Sequence, residues 1–205
     1  MLMGDAQYDD TRVMRYIEMG RNRQADGVIL MTGWLPDSIP EASLPKTVIA
    51  LELIDGSALP TVAIDNRAAS KLAVQHLIDL GHRRIVHITG PMRLTMSSER
   101  HEGYLDALTE AGIAIDPALT RIGDFHFGTG QQAIESLLAE AVEFTALFSS
   151  NDEMAVGAIN ALRGHGLKVP EDVSIVGFDD MDYALSSDPP LTSIRQPRRE
   201  IGRQA

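Results

Sequence analysis

Four polar clusters carry the chemistry this sequence can do. Gly90-Pro91 opens a loop that runs to Arg100, Asp124-Phe125 follows Gly123, Ser149-Ser150-Asn151-Asp152 follows Phe148, and Phe178-Asp179-Asp180 follows Gly177. Together they offer an aromatic ring, a guanidinium, an amide and several carboxylates. Carboxylate and guanidinium groups grip hydroxyls as a fork and a ring stacks on a flat ligand, so the set suits a polyhydroxylated molecule such as a sugar or nucleoside. Each residue also has a structural alternative. Arg100 can pair with Glu99 or Glu102 on a helix surface, Asn151 and Asp152 can cap a helix, Phe125 can be core, and Asp179-Asp180 can be turn chemistry.

Catalytic motifs are weak. Gly164-His165-Gly166 and Gly128-Thr129-Gly130 lack the third glycine of a dinucleotide loop, and there is no phosphate-binding GxxxxGK[ST] segment. No serine sits in a GxSxG elbow, the six histidines are scattered without metal-ligand spacing, and there is no cysteine. The expectation is a protein that is not an enzyme, with no catalytic residue, no metal and no cofactor.

The elements that position these clusters read as alternating strand and helix. Short apolar runs at 27–31, 47–51, 62–64, 84–89, 146–149 and 174–177 are mostly apolar on both faces. That is the pattern of a parallel sheet covered by helices on both sides, hence an α/β fold. In such sheets ligands lie beyond the carboxyl ends of the strands, which is where the four clusters fall. Helix starts are expected at Asn66, at Thr129 with Gln132 as a capping box, and at Asn151 ahead of Asp152 and Glu153. Gly81 and the Gly164/Gly166 pair read as helix stops. The stretch Asp188-Pro189-Pro190-Leu191-Thr192 reads as an extended segment, either a link between lobes or a surface loop.

The chain has 205 residues, 44% hydrophobic and 23% charged, which is globular composition. Its 18 Lys and Arg against 29 Asp and Glu give a net charge of −11, which repels phosphates and speaks against nucleic-acid binding by this segment alone. No apolar run approaches the roughly 18 residues of a membrane span, and the N-terminus has no export signal pattern, so no membrane partner and a cytoplasmic location are expected.

Seven blocks, in order, resemble the effector-sensing domain of the lactose-repressor/galactose-repressor family of bacterial transcription factors. They are Ala25-Asp26-Gly27-Val28-Ile29-Leu30, Ile64-Asp65-Asn66, Leu80-Gly81-His82-Arg83-Arg84-Ile85 through Ile88-Thr89-Gly90-Pro91, and Arg100-His101-Glu102-Gly103-Tyr104. The remaining three run from Thr145 to Gly157, from Val169 to Asp180, and across Pro190-Leu191-Thr192-Ser193-Ile194. Leu2-Met3-Gly4-Asp5, Leu59-Pro60-Thr61-Val62, Gly123-Asp124-Phe125 and Arg195-Gln196-Pro197-Arg198 are similar to the cytidine- and purine-responsive branch. Leu94 and Met96 stand where purine-responsive members present an arginine and a threonine, which counts against a purine.

The resemblance implies a two-lobed periplasmic-binding-protein-like fold, each lobe a parallel sheet flanked by helices, with ligand held between the lobes. By position it implies one lobe from 1–80 plus 197–205 and another from 82–195, with crossings near Leu80-Gly81 and Gln196-Pro197. It implies a ligand site of Arg100, Asp179, Phe125 and Asn151, with Asp65 and Gln196 lining it. It also implies a chain truncated at both ends, without the DNA-binding headpiece and the first strand and helix of family members. The function expected is effector sensing and dimerisation in a repressor. A sugar or nucleoside would control operator binding through the missing headpiece, in a homodimer. The alternative is a solute-binding protein of a sugar or nucleoside transporter. Asp179→Asn and Arg100→Ala are each expected to weaken ligand binding by about 1.5–3 kcal/mol with the fold intact.

Overall fold

The structure, a computed structural model, describes residues 3–6 and 9–205. Leu2 of the first short motif lies outside the described residues. The chain divides into two compact units, one of residues 1–64, 94–96 and 197–205, the other of residues 65–93 and 97–196. Among the described residues no helix is long and apolar enough to cross a membrane.

The first unit is built on a three-stranded parallel sheet, β1 (Val28–Leu30), β2 (Thr47–Ala50) and β3 (Thr61–Val62), in that order. Val28 pairs with Thr47, and Ile49 with Thr61. Helix α1 (Asp10–Arg21) starts where the Asp9 carboxylate accepts the Thr11 amide at 2.8 Å. Its spacing puts Val13 and Ile17 on one buried face, where they cluster with Ile39 and the flanks of Trp34, Leu35 and Leu44.

The second unit carries α2 (Asn66–Asp79), β4 (Ile85–Thr89), α3 (Thr95–Glu110, from Ser97 on), β5 (Thr120–Ile122), α4 (Phe127–Ala139), β6 (Ala146–Ser149), α5 (Asp152–Gly164), β7 (Ser174–Asp179), α6 (Asp182–Leu185) and β8 (Thr192–Arg195). Its five strands run parallel in the order β5-β4-β6-β7-β8. Every residue of β4 and β6 is buried, as the continuous apolar runs demand of central strands. Val86, Ile88, Leu147, Ile134, Leu137, Met154 and Ile159 form its core, and full burial of each such side chain stabilises by about 1.5–3 kcal/mol. The remaining helix, α7 (Arg198–Gln204), belongs to the first unit and buries Ile201.

The boundary expected at Leu80-Gly81 falls instead between Ile64 and Asp65. The reason is α2. It buries Ser70, Ala73, Val74, Leu77 and Ile78 within the second unit, and its outer side binds α3 through Arg67 to Asp106 and Glu102 and Lys71 to Glu110. A Cβ on Gly103 of α3 would lie 2.2 Å from the Arg67 carbonyl, so this close helix contact needs glycine there. The stretch at 188–192 is likewise not a link between units; it joins α6 to β8 inside the second unit. Thr129 does not cap α4. His126 holds the cap position, and the Thr129 hydroxyl, inside the first turn, reaches back to Asp124 Oδ1 at 2.7 Å.

Candidate functional site

In the second unit the chain leaves β4 first for β5 on one side and then for β6 on the other, so the strand order reverses between β4 and β6. A crevice opens at such a switch point, beyond the carboxyl ends of the strands. Arg100 lies on α3 after β4, Phe125 follows β5, Asn151 follows β6, Asp179 ends β7, Gln196 follows β8 and Asp65 precedes α2, and all six candidates belong to this unit.

Arg100, on the second turn of α3, is the centre of the group. Its side chain is 1% exposed. Nε donates to Asn66 Oδ1 at 3.0 Å and Nη1 to the Ser150 carbonyl at 2.6 Å, while the guanidinium carbon lies 3.8 Å from the centre of the Phe178 ring. Nη2 is 3.9 Å from Asp179 Oδ1. Arg100 is therefore buried rather than a surface residue of the helix. Glu99 accepts from Asn66 Nδ2 at 3.2 Å and Glu102 pairs with Arg67 at 3.0 Å. Burial pushes the Glu99 carboxyl above its ordinary range.

Asp179 ends β7 with its backbone at φ +106, followed by Asp180 at φ +54, both in the left-handed region that side chains rarely adopt. Its carboxylate accepts from Gln196 Nε2 at 2.6 Å, which brings the residue after β8 into the same group. Asn151 caps α5 through Oδ1, accepting the Met154 amide at 3.0 Å, and its Nδ2 donates to the Phe125 carbonyl at 2.7 Å. One end of its amide thus holds α5 and the other the Phe125 loop. Phe125 itself is half-buried at φ +72, packed on the core, with its ring against Gly90. Asp65 is exposed and caps α2, accepting the Ala68 amide at 2.8 Å, beside the Asn66 that meets Arg100.

One polar group thus joins Arg100, Asp179 and Gln196, through an ion pair at 3.9 Å and a hydrogen bond at 2.6 Å. A second, Phe125 with Asn151, joins it through the Ser150 carbonyl. Four further polar atoms at this edge, Ser97 Oγ, Ser149 Oγ, Ser150 Oγ and Gln196 Oε1, are buried without a hydrogen-bond partner in the protein. Buried polar groups normally find partners, so these atoms retain unused hydrogen-bonding capacity at this edge.

Two contributors escape sequence reasoning. Asn66 reads as a helix start, and α2 does begin there, but its side chain is also the acceptor for Arg100. Asp152 reads as a first-turn acid, yet it is fully buried, accepting the Met181 amide at 2.8 Å and the Ser193 hydroxyl at 2.5 Å. Burial pushes its carboxyl up to about 6, against the pull of those two hydrogen bonds. The one local signal is Gly177, where a Cβ would stand 2.3 Å from Asp152 Oδ1.

The profile of the periplasmic binding protein-like domain matches residues 74–205. A sugar-binding transcriptional regulator of the LacI family from Escherichia coli, solved with phosphate, shares 33% identity and a TM-score of 0.84, covering 98% of this chain and 73% of that one. The chain is a periplasmic binding protein-like domain of the LacI family. This LacI-family domain is also 42% identical over its full length to the HTH-type transcriptional repressor CytR of Escherichia coli strain K12. It spans 61% of that relative's length. The structure of a CelR–cellobiose complex aligns with the LacI-family domain at 35% identity and a TM-score of 0.83, covering 95% of this chain and 61% of the other. These relatives are regulators of transcription, as their names state.

Proposed function

We propose that this chain is the effector-sensing part of a bacterial transcriptional repressor, binding a sugar or nucleoside at the carboxyl edge of the five-stranded sheet. The observation that carries the reading is the buried Arg100 joined to Asp179 and Gln196, beside four buried polar atoms with no protein partner. A guanidinium next to a carboxylate offers donors and acceptors together, which is what a vicinal diol or a ribose requires. Phe125, held at its carbonyl by Asn151, supplies an apolar wall. Because a ligand shifts a conformational equilibrium only by its difference in affinity for the two states, an effector contacting these residues would favour one arrangement of the repressor. Operator DNA would be read by a separate headpiece, and a homodimer would carry two of them. The cellobiose bound by CelR supports a hydroxyl-rich ligand, and the likeness to the cytidine-responsive branch makes cytidine the first probe.

The test is an operator-retention assay on the full-length protein with a panel of nucleosides and sugars, cytidine first, read with calorimetry on the same protein. The reading expects one compound to shift operator affinity and that shift to vanish in Asp179→Asn. No response across the panel in either measurement would refute it.

A further inference from the structure

Asp152 is the one fully buried carboxylate among the described residues, and the network above uses none of its atoms directly. It sits at the first position of α5, behind the turn that carries Asp179. Its two oxygens are both engaged: Oδ2 accepts the Met181 amide at 2.8 Å and Oδ1 accepts the Ser193 hydroxyl at 2.5 Å. Ser193 Oγ in turn accepts the Asp180 amide at 3.1 Å. The two amides that follow Asp179 are thereby tied, one directly and one through Ser193, to a single carboxylate. These ties span the left-handed pair at φ +106 and +54, a conformation that side chains rarely adopt and that persists only where surrounding contacts impose it. Gly177 leaves the space that Asp152 occupies, since a Cβ there would lie 2.3 Å from Oδ1.

We infer that Asp152 is the positioning residue of the ligand site: through the Met181 amide and Ser193 it holds the Asp179-Asp180 turn in the left-handed form that presents Asp179 to Arg100 and Gln196. The inference rests on the reading of Asp179 as a ligand residue, and adds a switch to it. An ionised carboxylate accepts both bonds. A protonated one carries a hydroxyl on one oxygen, which is a poorer acceptor, so the bond from the Met181 amide or from the Ser193 hydroxyl is weakened. The charged groups facing Asp152 are Asp179 and Asp180 at the end of β7, with Arg195 of β8 paired to Asp180 and Arg100 of α3 near Asp179. Glu153 follows it on α5. Burial, with Asp179 and Asp180 adding to it, pushes its carboxyl up to about 6, so the switch works between neutral and mildly acidic pH.

The experiment uses the full-length protein, its Asp152→Asn variant and its Ser193→Ala variant, with Ser193→Thr as the conservative rescue. Amide hydrogen exchange at Asp180 and Met181 is measured first, because it needs no ligand. Exchange at both amides is expected to speed up about tenfold in Asp152→Asn, and at Asp180 in Ser193→Ala, with the central residues of β7 unchanged and Ser193→Thr close to wild type. Unchanged exchange in both variants overturns the inference. Should Asp152→Asn fail to fold, Ser193→Ala still decides it. Cytidine affinity is then followed by calorimetry from pH 5 to pH 8. The wild type is expected to weaken about fivefold or more as pH falls through about 6, while Asp152→Asn is weaker and flat with pH. Loosened amides with a wild-type pH profile in Asp152→Asn would overturn the functional half of the inference. If cytidine and the rest of the panel bind nowhere, the proposed effector reading falls, and the amide exchange still decides what Asp152 does.

Discussion

Replacing Arg100 with methionine tests the site where its chemistry and its architecture meet. From sequence, Arg100 is a ligand contact whose loss spares the fold. In the structure the guanidinium is buried, donates to Asn66 at 3.0 Å and to Ser150 at 2.6 Å, and lies 3.8 Å over Phe178. Methionine keeps much of the length and the contact with the ring but leaves Asn66 Oδ1 and the Ser150 carbonyl without this donor. Hydrogen bonds from a charged donor contribute about 1.5–3 kcal/mol each, and the desolvation of the guanidinium offsets part of that. Each buried acceptor left short of its donor costs about 1–3 kcal/mol, so we take about 3–5 kcal/mol as the expected destabilisation. For a chain of this size that corresponds to a melting temperature lower by about 6–20 °C. Arg100→Lys should fall between the two, because an ammonium keeps the charge but cannot serve Asn66, Ser150 and Asp179 with a planar fork. Thermal melts followed by far-ultraviolet circular dichroism, on the three proteins in one buffer, give the answer. A methionine variant that melts within about 2 °C of wild type, with full native signal, would show that these bonds are not structural and that the reasoning from burial is wrong.

Asp179→Asn removes a carboxylate that is only partly buried, so it should melt like wild type yet bind cytidine, or whichever compound of the panel binds, about 10 to 150 times more weakly; less than a twofold loss in calorimetry removes Asp179 from the ligand site. Gly177→Ala forces a Cβ to 2.3 Å from Asp152 Oδ1 and 2.8 Å from Leu191 Cδ2, and should cost about 1–3 kcal/mol in urea unfolding with an unchanged slope. His87 is fully buried and stacked on Phe148, and burial pushes its imidazole down to about 3. Its folded value lies below its unfolded one, so its neutral form supports the fold fully above about 6.5, and that support is lost as pH falls. Between pH 7 and pH 5 the loss amounts to about 2 kcal/mol, and His87→Phe should abolish it; equal pH slopes for the two proteins would contradict the assignment. Asp152 acts in the opposite sense. Its folded value of about 6 lies above the ordinary one, so the folded state takes up the proton first and stability from this group rises as pH falls from about 6 toward 4. Asp152→Asn should therefore lose more stability between pH 7 and pH 5 than wild type does, and an equal or smaller loss would refute the assignment.

What the sequence by itself determined is what short-range pattern and turn chemistry encode. The apolar runs at 84–89, 146–149 and 174–177 are buried parallel strands because a strand covered on both faces has no polar side to show. Asn151 caps α5 because its side chain answers an amide three residues on. The four polar clusters lie beyond strand ends because the connections of a parallel sheet place them there. Only the tertiary structure decided the rest. β5 and β8 are edge strands with polar, half-exposed residues, and they are strands because β4 and β7 offer them hydrogen bonds across long sequence separations. α2 belongs with the second unit because its apolar face is buried there, a choice no local signal near Gly81 expresses. Arg100 and Asp152 look like surface charges on helices. Their burial depends on partners 34, 50, 29 and 41 residues away, and separations of that size leave no periodicity for a sequence to display.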